Sequence, residues 1–523
     1  MRNHMEAGWF YSRRQIGRYL ATRASSLKPP EAKPTNPITI LRKLNRHQWL
    51  MFACGFVAWV WDAFDYMTLT EIAEDFGVAN SQVSWGITVT LMLRSVGALI
   101  FGAFADRYGR KWPMVIDLAL ITILELGSSF CQTLPQFLAV RSLFGVAMGG
   151  MYGPAASTAL EDLPYESRGI LSGIFQNGYS TGYLLVAIFY RAFVPTTSHS
   201  WRSLFWFASG PPVLIIIFRL MLPETNHFQV IKAEREARVA ADAQAQVNVA
   251  DQGQRRTGGG LRAFWTQAVE ALKLHWVLLL YMVVLMAGFN SCSHGSQDFY
   301  PTYLKDQVGF GATDVTILSV VGQLGSIAGG TALGYISTFT GRRLVMMIAC
   351  IFGGALVPAY VIPRDMTLIA AVFFEQFFVG GVWGPIPIHL MELSPDALRT
   401  MVLGLTYQLG NLASSASATI QAIIGERYPL PDGPSGNKRF DYGRVIAIFL
   451  GAVWAYLFLF IFLGPEMSQE ERNEIAEEAR YLEGKRLDGT SMADIGTKKA
   501  AAIADEAGRA QNDAEKVSVQ HLA

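Results

Sequence analysis

Gly149-Gly150-Met151-Tyr152-Gly153-Pro154 returns as Gly380-Gly381-Val382-Trp383-Gly384-Pro385, 231 positions further along the chain. Glu161-x-x-Pro164-x-x-x-Arg168 returns as Glu392-x-x-Pro395-x-x-x-Arg399 at the same offset. Gly102-x-x-x-Asp106-Arg107-Tyr108-Gly109-Arg110-Lys111 returns as Gly334-x-x-x-Thr338-Phe339-Thr340-Gly341-Arg342-Arg343, at an offset of 232. Three matches at nearly one offset mean that the chain is written twice, as two halves running in the same sense.

What each half contains follows from its apolar runs. The chain has 523 residues, is 51% hydrophobic and only 16% charged, against roughly 25% charged in soluble proteins. Runs of about 20 apolar residues are long enough to cross a bilayer as helices. Twelve are read, at roughly 48–70, 84–105, 112–131, 136–157, 169–191, 202–222, 275–297, 313–335, 344–362, 367–389, 401–424 and 443–464,. Several contain glycine or proline, which membrane helices tolerate. The expected fold is therefore an all-α membrane protein of twelve transmembrane helices in two parallel six-helix halves. The expected domains are a basic N-terminal arm (1–47), a first half (48–224), a central loop (225–274), a second half (275–465) and a tail (466–523).

Charge sets the orientation and removes other classes. Arg107, Arg110 and Lys111 follow the second run, and Arg168, Arg342, Arg343 and Arg399 follow the fourth, eighth and tenth. The arm before the first run is basic, and the first outer loop, Glu71–Gln82, has no lysine or arginine. The positive-inside rule places both termini and the central loop in the cytoplasm. A net charge of +1 gives no reason to expect a nucleic-acid partner,. Cys54, Cys131, Cys292 and Cys350 are scattered through apolar runs, neither a disulfide framework nor a metal spacing,. The first forty residues lack the continuous apolar core of a signal peptide. With no nucleophile constellation, nucleotide loop or metal cluster, the sequence reads as no enzyme and needs no cofactor.

Two parallel six-helix halves are the arrangement of the major facilitator superfamily, whose substrate site lies between the halves near the midplane. The chain resembles that superfamily over about 47–465, and Gly102–Lys111 matches its signature loop between the second and third helices. Read physically, that loop is a cytoplasmic gate. Gly102 allows close helix approach, and Asp106, Arg107, Gly109 and Arg110 are the other candidate gate residues. Asp106 can accept from helix N-terminal amides or from an arginine across the gap. Basic loops at this end would also follow from topology alone. Thr338 and Phe339 replace the acid and first base in the second copy, so that gate is expected to be weaker. In the central loop, Ala233–Gln246 reads as a polar helix, Gln252–Gly260 as a breaker and Leu261–Leu272 as an amphipathic surface segment. The tail holds a charged helix-like stretch, Gln469–Gly484, then low-hydrophobicity sequence expected to be disordered,. Both tails suit cytoplasmic regulatory partners.

Asn290-Ser-Cys-Ser-His294-Gly-Ser-Gln-Asp298-Phe-Tyr-Pro-Thr302 continues the seventh run with a density of polar groups that membrane helices rarely carry without function,. At about 100° per residue, with Asn290 as zero, His294 falls at about 40°, Asp298 at about 80° and Gln297 at about −20°. Ser293 flanks this face, and Ser296 lies near the opposite side. Pro301 cannot donate to the Gln297 carbonyl, so the helix should open just past the cluster. His294 and Asp298, at i and i+4, can meet as imidazolium and carboxylate, and histidine titrates near physiological pH. A structural hydrogen bond between helices is the plainer alternative.

This stretch resembles the signature of the Jen family of fungal carboxylate–proton symporters, N-x-x-[S/T]-H-x-[S/T]-Q-D-x-x-x-T. Asn290, Ser293, His294, Ser296, Gln297, Asp298 and Thr302 fill every fixed position. The resemblance implies a plasma-membrane importer of short carboxylates, such as lactate and pyruvate, together with protons.

Arg94, midway along the second run, needs an anion and can grip a carboxylate through two parallel bonds. The alternatives are a substrate carboxylate and a permanent ion pair with Asp62 or Asp65 of the first run, and both can hold in turn. The resemblance also implicates an arginine in this Leu-Arg-Ser-Val-Gly context. Gln408 and Asn411 share a face of the eleventh run; the resemblance implies a role in substrate choice, and amide bonding between helices is the alternative. Gln176, Asn177, Glu375 and Gln376 are weaker candidates. Arg141 occupies a general superfamily position, and Asp117 and Glu125 on the third run have no evident partners.

The expectation is a secondary transporter importing a monocarboxylate anion with a proton, by rocking of the halves. Arg94, Asn290, Ser293, Gln297, Gln408 and Asn411 would bind substrate. His294, Asp298 and Asp65 would carry the proton. A dicarboxylate or another organic acid is an alternative cargo. A carboxylate sensor on a carrier scaffold is an alternative of another class.

Overall fold

The computed structural model describes residues 13–30, 34–65, 76, 80–194, 196–249, 261–395, 398–431, 439–467, 474, 477, 481, 484, 485, 490–499 and 501. Most of the first outer loop, the breaker 252–260 and most of the tail, including most of its expected helix, lie outside these residues, as does the side chain of Asp65. Of the tail sequence expected to be disordered, residues 492–499 are helical instead, because Met492 and Ile495 bury against Val230.

Twelve helical crossings fall where the twelve runs were read. The first half contains α1 (Arg46–Asp62), α2 (Asn80–Tyr108), α3 (Lys111–Ser129) and α4 (Leu134–Leu160). It continues with α5 (Tyr165–Gln176 and Gly178–Phe193) and α6 (Trp201–Ala208 and Gly210–Met221). The second half contains α7 (Leu261–Gln297), α8 (Ala312–Thr340) and α9 (Arg342–Val361). It ends with α10 (Leu368–Trp383 and Ile386–Leu393), α11 (Arg399–Ser414 and Ser417–Gly425) and α12 (Tyr442–Leu463). A two-residue antiparallel pair, β1 (Pro429–Leu430) with β2 (Arg439–Phe440), precedes α12.

The segment Leu261–Leu272 does not lie on the surface as a separate helix. It is the first part of α7, because nothing between Leu261 and Gln297 interrupts the helical backbone. At its far end α7 does stop at Gln297, and Tyr300–Thr302 and a π-turn at Tyr303–Val308 follow. Pro301 accounts for the stop.

The repeat is visible in packing. Within the halves, α2 lies along α4 and α8 lies along α10; across them, α2 meets α11 and α8 meets α5. The repeated glycines set these distances. A Cβ on Gly149 would sit 1.9 Å from the Arg94 carbonyl oxygen, and one on Gly380 would sit 2.4 Å from the Ser326 carbonyl oxygen. Arg94 and Ser326 are themselves counterparts at the offset of 232.

Among the described residues, seven segments are apolar enough to cross a membrane by composition alone: α3, α6, α7, α8, α9, α10 and α12. The remaining five, α1, α2, α4, α5 and α11, all line one central cavity. Their polar and glycine residues serve an interior rather than lipid.

At the end that carries the basic loops, further segments bind the halves together. The linker helix Asn226–Val249 starts on Asp162, whose carboxylate accepts from the amides of Asn226 (2.9 Å) and His227 (3.1 Å). Its His227 Nε2 accepts from Arg399 Nη1 of the second half at 2.6 Å. Residues 492–499 of the tail lie on this helix through Met492, Ile495 and Val230. The N-terminal arm crosses to the second half. Tyr19 Oη donates to the Leu463 carbonyl (2.9 Å) and Arg23 Nη1 to the Gly464 carbonyl (2.7 Å), while Arg343 Nη1 donates to Ser26 Oγ (2.8 Å).

Candidate functional site

A cavity opens between the halves, lined by α1, α2, α4 and α5 on one side and α7, α8, α10 and α11 on the other. Asn290, Ser293, His294, Gln297 and Asp298 all face it, as the helical arithmetic requires. Ser296 does not. It is fully buried, and its carbonyl accepts from Tyr360 Oη at 2.7 Å.

The imidazole of His294 is held at both nitrogens. Nδ1 lies 2.7 Å from Asp298 Oδ2, and Nε2 lies 2.8 Å from Asn411 Oδ1. His294 is buried, whereas Asp298 is its exposed partner. Ser293 Oγ accepts from Trp383 Nε1 at 2.6 Å, and Gln297 Nε2 donates to Gln376 Oε1 at 2.8 Å. Thus α7 reaches α10 and α11 through side chains that border the cavity.

Facing this wall, Arg94 Nη2 lies 3.1 Å from Asp62 Oδ2, and both side chains are buried. Of the two aspartates expected to meet this arginine, Asp62 does so, and the side chain of Asp65 lies outside the described residues. Asp62 ends α1 and Asp65 closes the short turn that follows it. Arg94 Nε and Asp62 Oδ1 have no hydrogen-bond partner among the described residues. Behind them Asp117 is fully buried, with neither oxygen bonded among the described residues, whereas Glu125 pairs with Arg141 at 3.0 Å.

Asn411 lines the cavity and Gln408 does not. Gln408 is fully buried, with no partner for either amide atom among the described residues. The repeat explains its position. At the offset of 231 its counterpart is Asn177, which donates across the α5–α8 contact to the Ile327 carbonyl (2.9 Å) and Thr331 Oγ1 (2.8 Å). The counterpart of Thr331 is Leu99, which has no group to accept. Gln408 belongs to the seam between halves rather than to the cavity wall.

Sequence reasoning passed over the aromatic residues that close the cavity toward the basic end. Tyr152 of α4 stacks on Tyr407 of α11 with ring centroids 4.0 Å apart, and Trp59 and Trp383 pack against Tyr407 at 5.7 and 5.6 Å. The signal was present: Tyr152 and Trp383 are the aromatic positions of the two Gly-Gly-x-aromatic-Gly-Pro copies.

Below this layer the residues expected to form a gate are packed between the halves. Asp106 accepts from the amides of Thr400 (3.0 Å) and Met401 (2.8 Å) at the start of α11, a carboxylate on a helix N-terminus,. Gly102 lies against Met401, where a Cβ would come within 2.5 Å of its Cα. Gly109 takes φ 107°, a left-handed turn suited to glycine,. Arg110 grips Glu161 through Nε (3.1 Å) and Nη2 (2.8 Å), and Arg342 meets the counterpart Glu392 at 3.1 Å. Among the described residues Arg107 does not join this cluster. Its Nε lacks a hydrogen-bond partner among the described residues, and its guanidinium lies 5.4 Å from the ring of the exposed Tyr108. In the second copy the Thr338 hydroxyl makes no hydrogen bond among the described residues, so the seam between α8 and α5 lacks the bond that Asp106 supplies.

Comparison with known proteins places this architecture. The family model described as sugar (and other) transporter matches residues 38–479. A carboxylic acid transporter protein homolog of Saccharomyces cerevisiae is 38% identical over 469 residues, covering 88% of this chain and 75% of that protein. The cis,cis-muconate transport protein of Acinetobacter baylyi is 24% identical, covering 78% of this chain and 96% of that one. The solved structure of the proton:xylose symporter XylE, a major facilitator protein, superposes with a TM-score of 0.62 at 16% identity, over 82% of this chain and 99% of that chain. The chain therefore belongs to the sugar (and other) transporter family of the major facilitator superfamily, on its Jen branch, and is a membrane transporter rather than an enzyme.

Proposed function

We propose that this protein imports short monocarboxylates, such as lactate or pyruvate, together with protons across the plasma membrane. The basic end, with both termini, would face the cytoplasm. The observation that carries this reading is the pairing, across one cavity, of a buried arginine with a histidine–carboxylate pair. Arg94 is the one lysine or arginine among the described lining residues, which suits one carboxylate,. A carboxylate that takes Arg94 displaces Asp62, and His294 with Asp298 holds the accompanying proton. One anion with one proton carries no net charge, so the pH gradient supplies about 1.36 kcal/mol per unit. The 38% identical relative is named for carboxylic acid transport, which agrees. A dicarboxylate cargo is the second reading, favoured by the muconate-transporting relative.

Parallel uptake of labelled lactate, pyruvate, acetate, succinate and malate in reconstituted vesicles decides between them. Lactate and pyruvate accumulation that grows with an inward proton gradient and collapses with a protonophore is expected. Accumulation of succinate and malate alone would replace the first reading with the second. Uptake indifferent to the gradient would remove proton coupling.

A further inference from the structure

The two contacts of His294 differ in what they permit. An ionised carboxylate only accepts, so Asp298 Oδ2, 2.7 Å away, fixes a proton on Nδ1,. The variable is Nε2, which faces the side-chain amide of Asn411 at 2.8 Å. An imidazolium presents N–H at Nε2 and requires an acceptor, the amide oxygen. A neutral ring presents a bare nitrogen there and requires a donor, the amide NH2. The arrangement with Asn411 Oδ1 against the ring is the one that suits the imidazolium.

An amide has two ends. Asn411 is anchored on α11 and borders the cavity, so whichever end meets the ring, the other is turned away from it. The terminal torsion of asparagine is broad and roughly two-fold, and a half-turn needs no movement of the helix.

We propose that Asn411 couples the proton to the anion: its amide reads the protonation state of His294 Nε2 and offers the cavity a donor when the proton is present and an acceptor when it is absent. This rests on the proton–carboxylate reading above and names the element that links its two ligands.

The charges around the pair act in the same direction. Arg94 faces His294 from α2, and Tyr183 of α5 faces Asp298. From α10, Trp383 and Gln376 bond the neighbouring Ser293 and Gln297, and from α12 the uncharged Phe449 lies against Gly295. With the proton on, the set Arg94, Asp62, His294 and Asp298 sums to zero. Without it, the set carries one negative charge and opposes an anion. The amide adds a local term, since a donor aimed at a carboxylate is replaced by an oxygen aimed at it. A change of about tenfold or more in anion affinity follows from one such charge-assisted bond.

The experiment uses the full chain, purified, with L-lactate as probe. Affinity is measured calorimetrically and proton uptake with a pH indicator, at about pH 5.5 and about pH 7.5, either side of the ordinary imidazole value. The wild-type protein is expected to bind about tenfold or more weakly at the higher pH and to take up a proton on binding. Asn411→Leu, which has no amide to turn, is expected to lose affinity at the lower pH and to show a pH dependence several-fold smaller than the wild type, the remainder being that of the charge set. Asn411→Asp, with an acceptor at both ends, is expected to bind weakly at both pH values. Either variant retaining the wild-type pH slope and proton uptake would overturn the inference while leaving the transport reading intact. A wild-type protein that binds lactate with neither slope nor proton uptake overturns both.

Discussion

Arg94 bonds Asp62 through Nη2 alone and keeps Nε without a hydrogen-bond partner among the described residues, so the guanidinium has donor capacity left for an incoming anion. Lysine at this position would keep the charge and lose the planar fork. Arg94→Lys is therefore expected to raise the KM for lactate by roughly tenfold to a hundredfold, the range of one charged hydrogen bond. Near-normal KM at equal surface expression would remove Arg94 from the site. The face on α7 was legible because helical periodicity alone decides which of its residues point together. The partner of Arg94 was legible only as Asp62 or Asp65, since which carboxylate reaches the guanidinium depends on packing between α1 and α2, where Asp62 makes the bond. Gln408 and Asn411 look equivalent by spacing, yet one lies in a seam and the other in the cavity, because the neighbouring helix differs and the sequence of α11 does not contain it.

At the scale of elements, the seam between α2 and α11 is the described closure with both a steric and an ionic part. Its contact at Gly102 is too close for any side chain, and Asp106 ties the two helices end to side. Gly102→Val is expected to hold the basic end apart. A cysteine placed at Thr400, in a protein otherwise free of cysteine, should then react with a maleimide several times faster, on the order of the 10-fold that about 1.4 kcal/mol of displaced equilibrium gives. Unchanged labelling would mean that another contact holds the gate. This loop was readable beforehand from its glycine spacing and acid, and Asp106 meets the amide partners its chemistry called for. The division of labour between Arg107 and Arg110 was not readable, because consecutive basic residues look alike until the turn at Gly109 aims one of them at Glu161.

At the scale of the molecule, the two halves are copies that have diverged in chemistry. Ser326 stands where Arg94 does, and Thr338 where Asp106 does. The twofold plan was legible because an offset needs no knowledge of contacts; the linker helix that spans the halves left only a polar pattern. His227 on that helix accepts from Arg399, and burial first, then Arg399, Arg110, Arg168 and Lys499, push its pKa well below the ordinary 6.5. A depressed value means that the closed state resists the proton that a separated His227 would take. The contact therefore contributes fully above about pH 6.5 and is lost as the pH at the basic end falls below it. Acidifying that side is expected to loosen the linker, read as faster proteolysis between residues 226 and 249. His227→Gln should abolish the acid response. A response that persists in this variant would assign it to another group.

The arm before α1 is fastened to the carbonyls of Leu463 and Gly464, more than 440 residues away along the chain. At a synthesis rate of roughly 5–20 residues per second, Tyr19 and Arg23 wait about 20 to 90 seconds for those partners to exist. The earliest-made part of the described chain is thus among the last to be settled. Until α12 has been made these two bonds cannot form, and the docking of the arm marks the moment at which both halves exist.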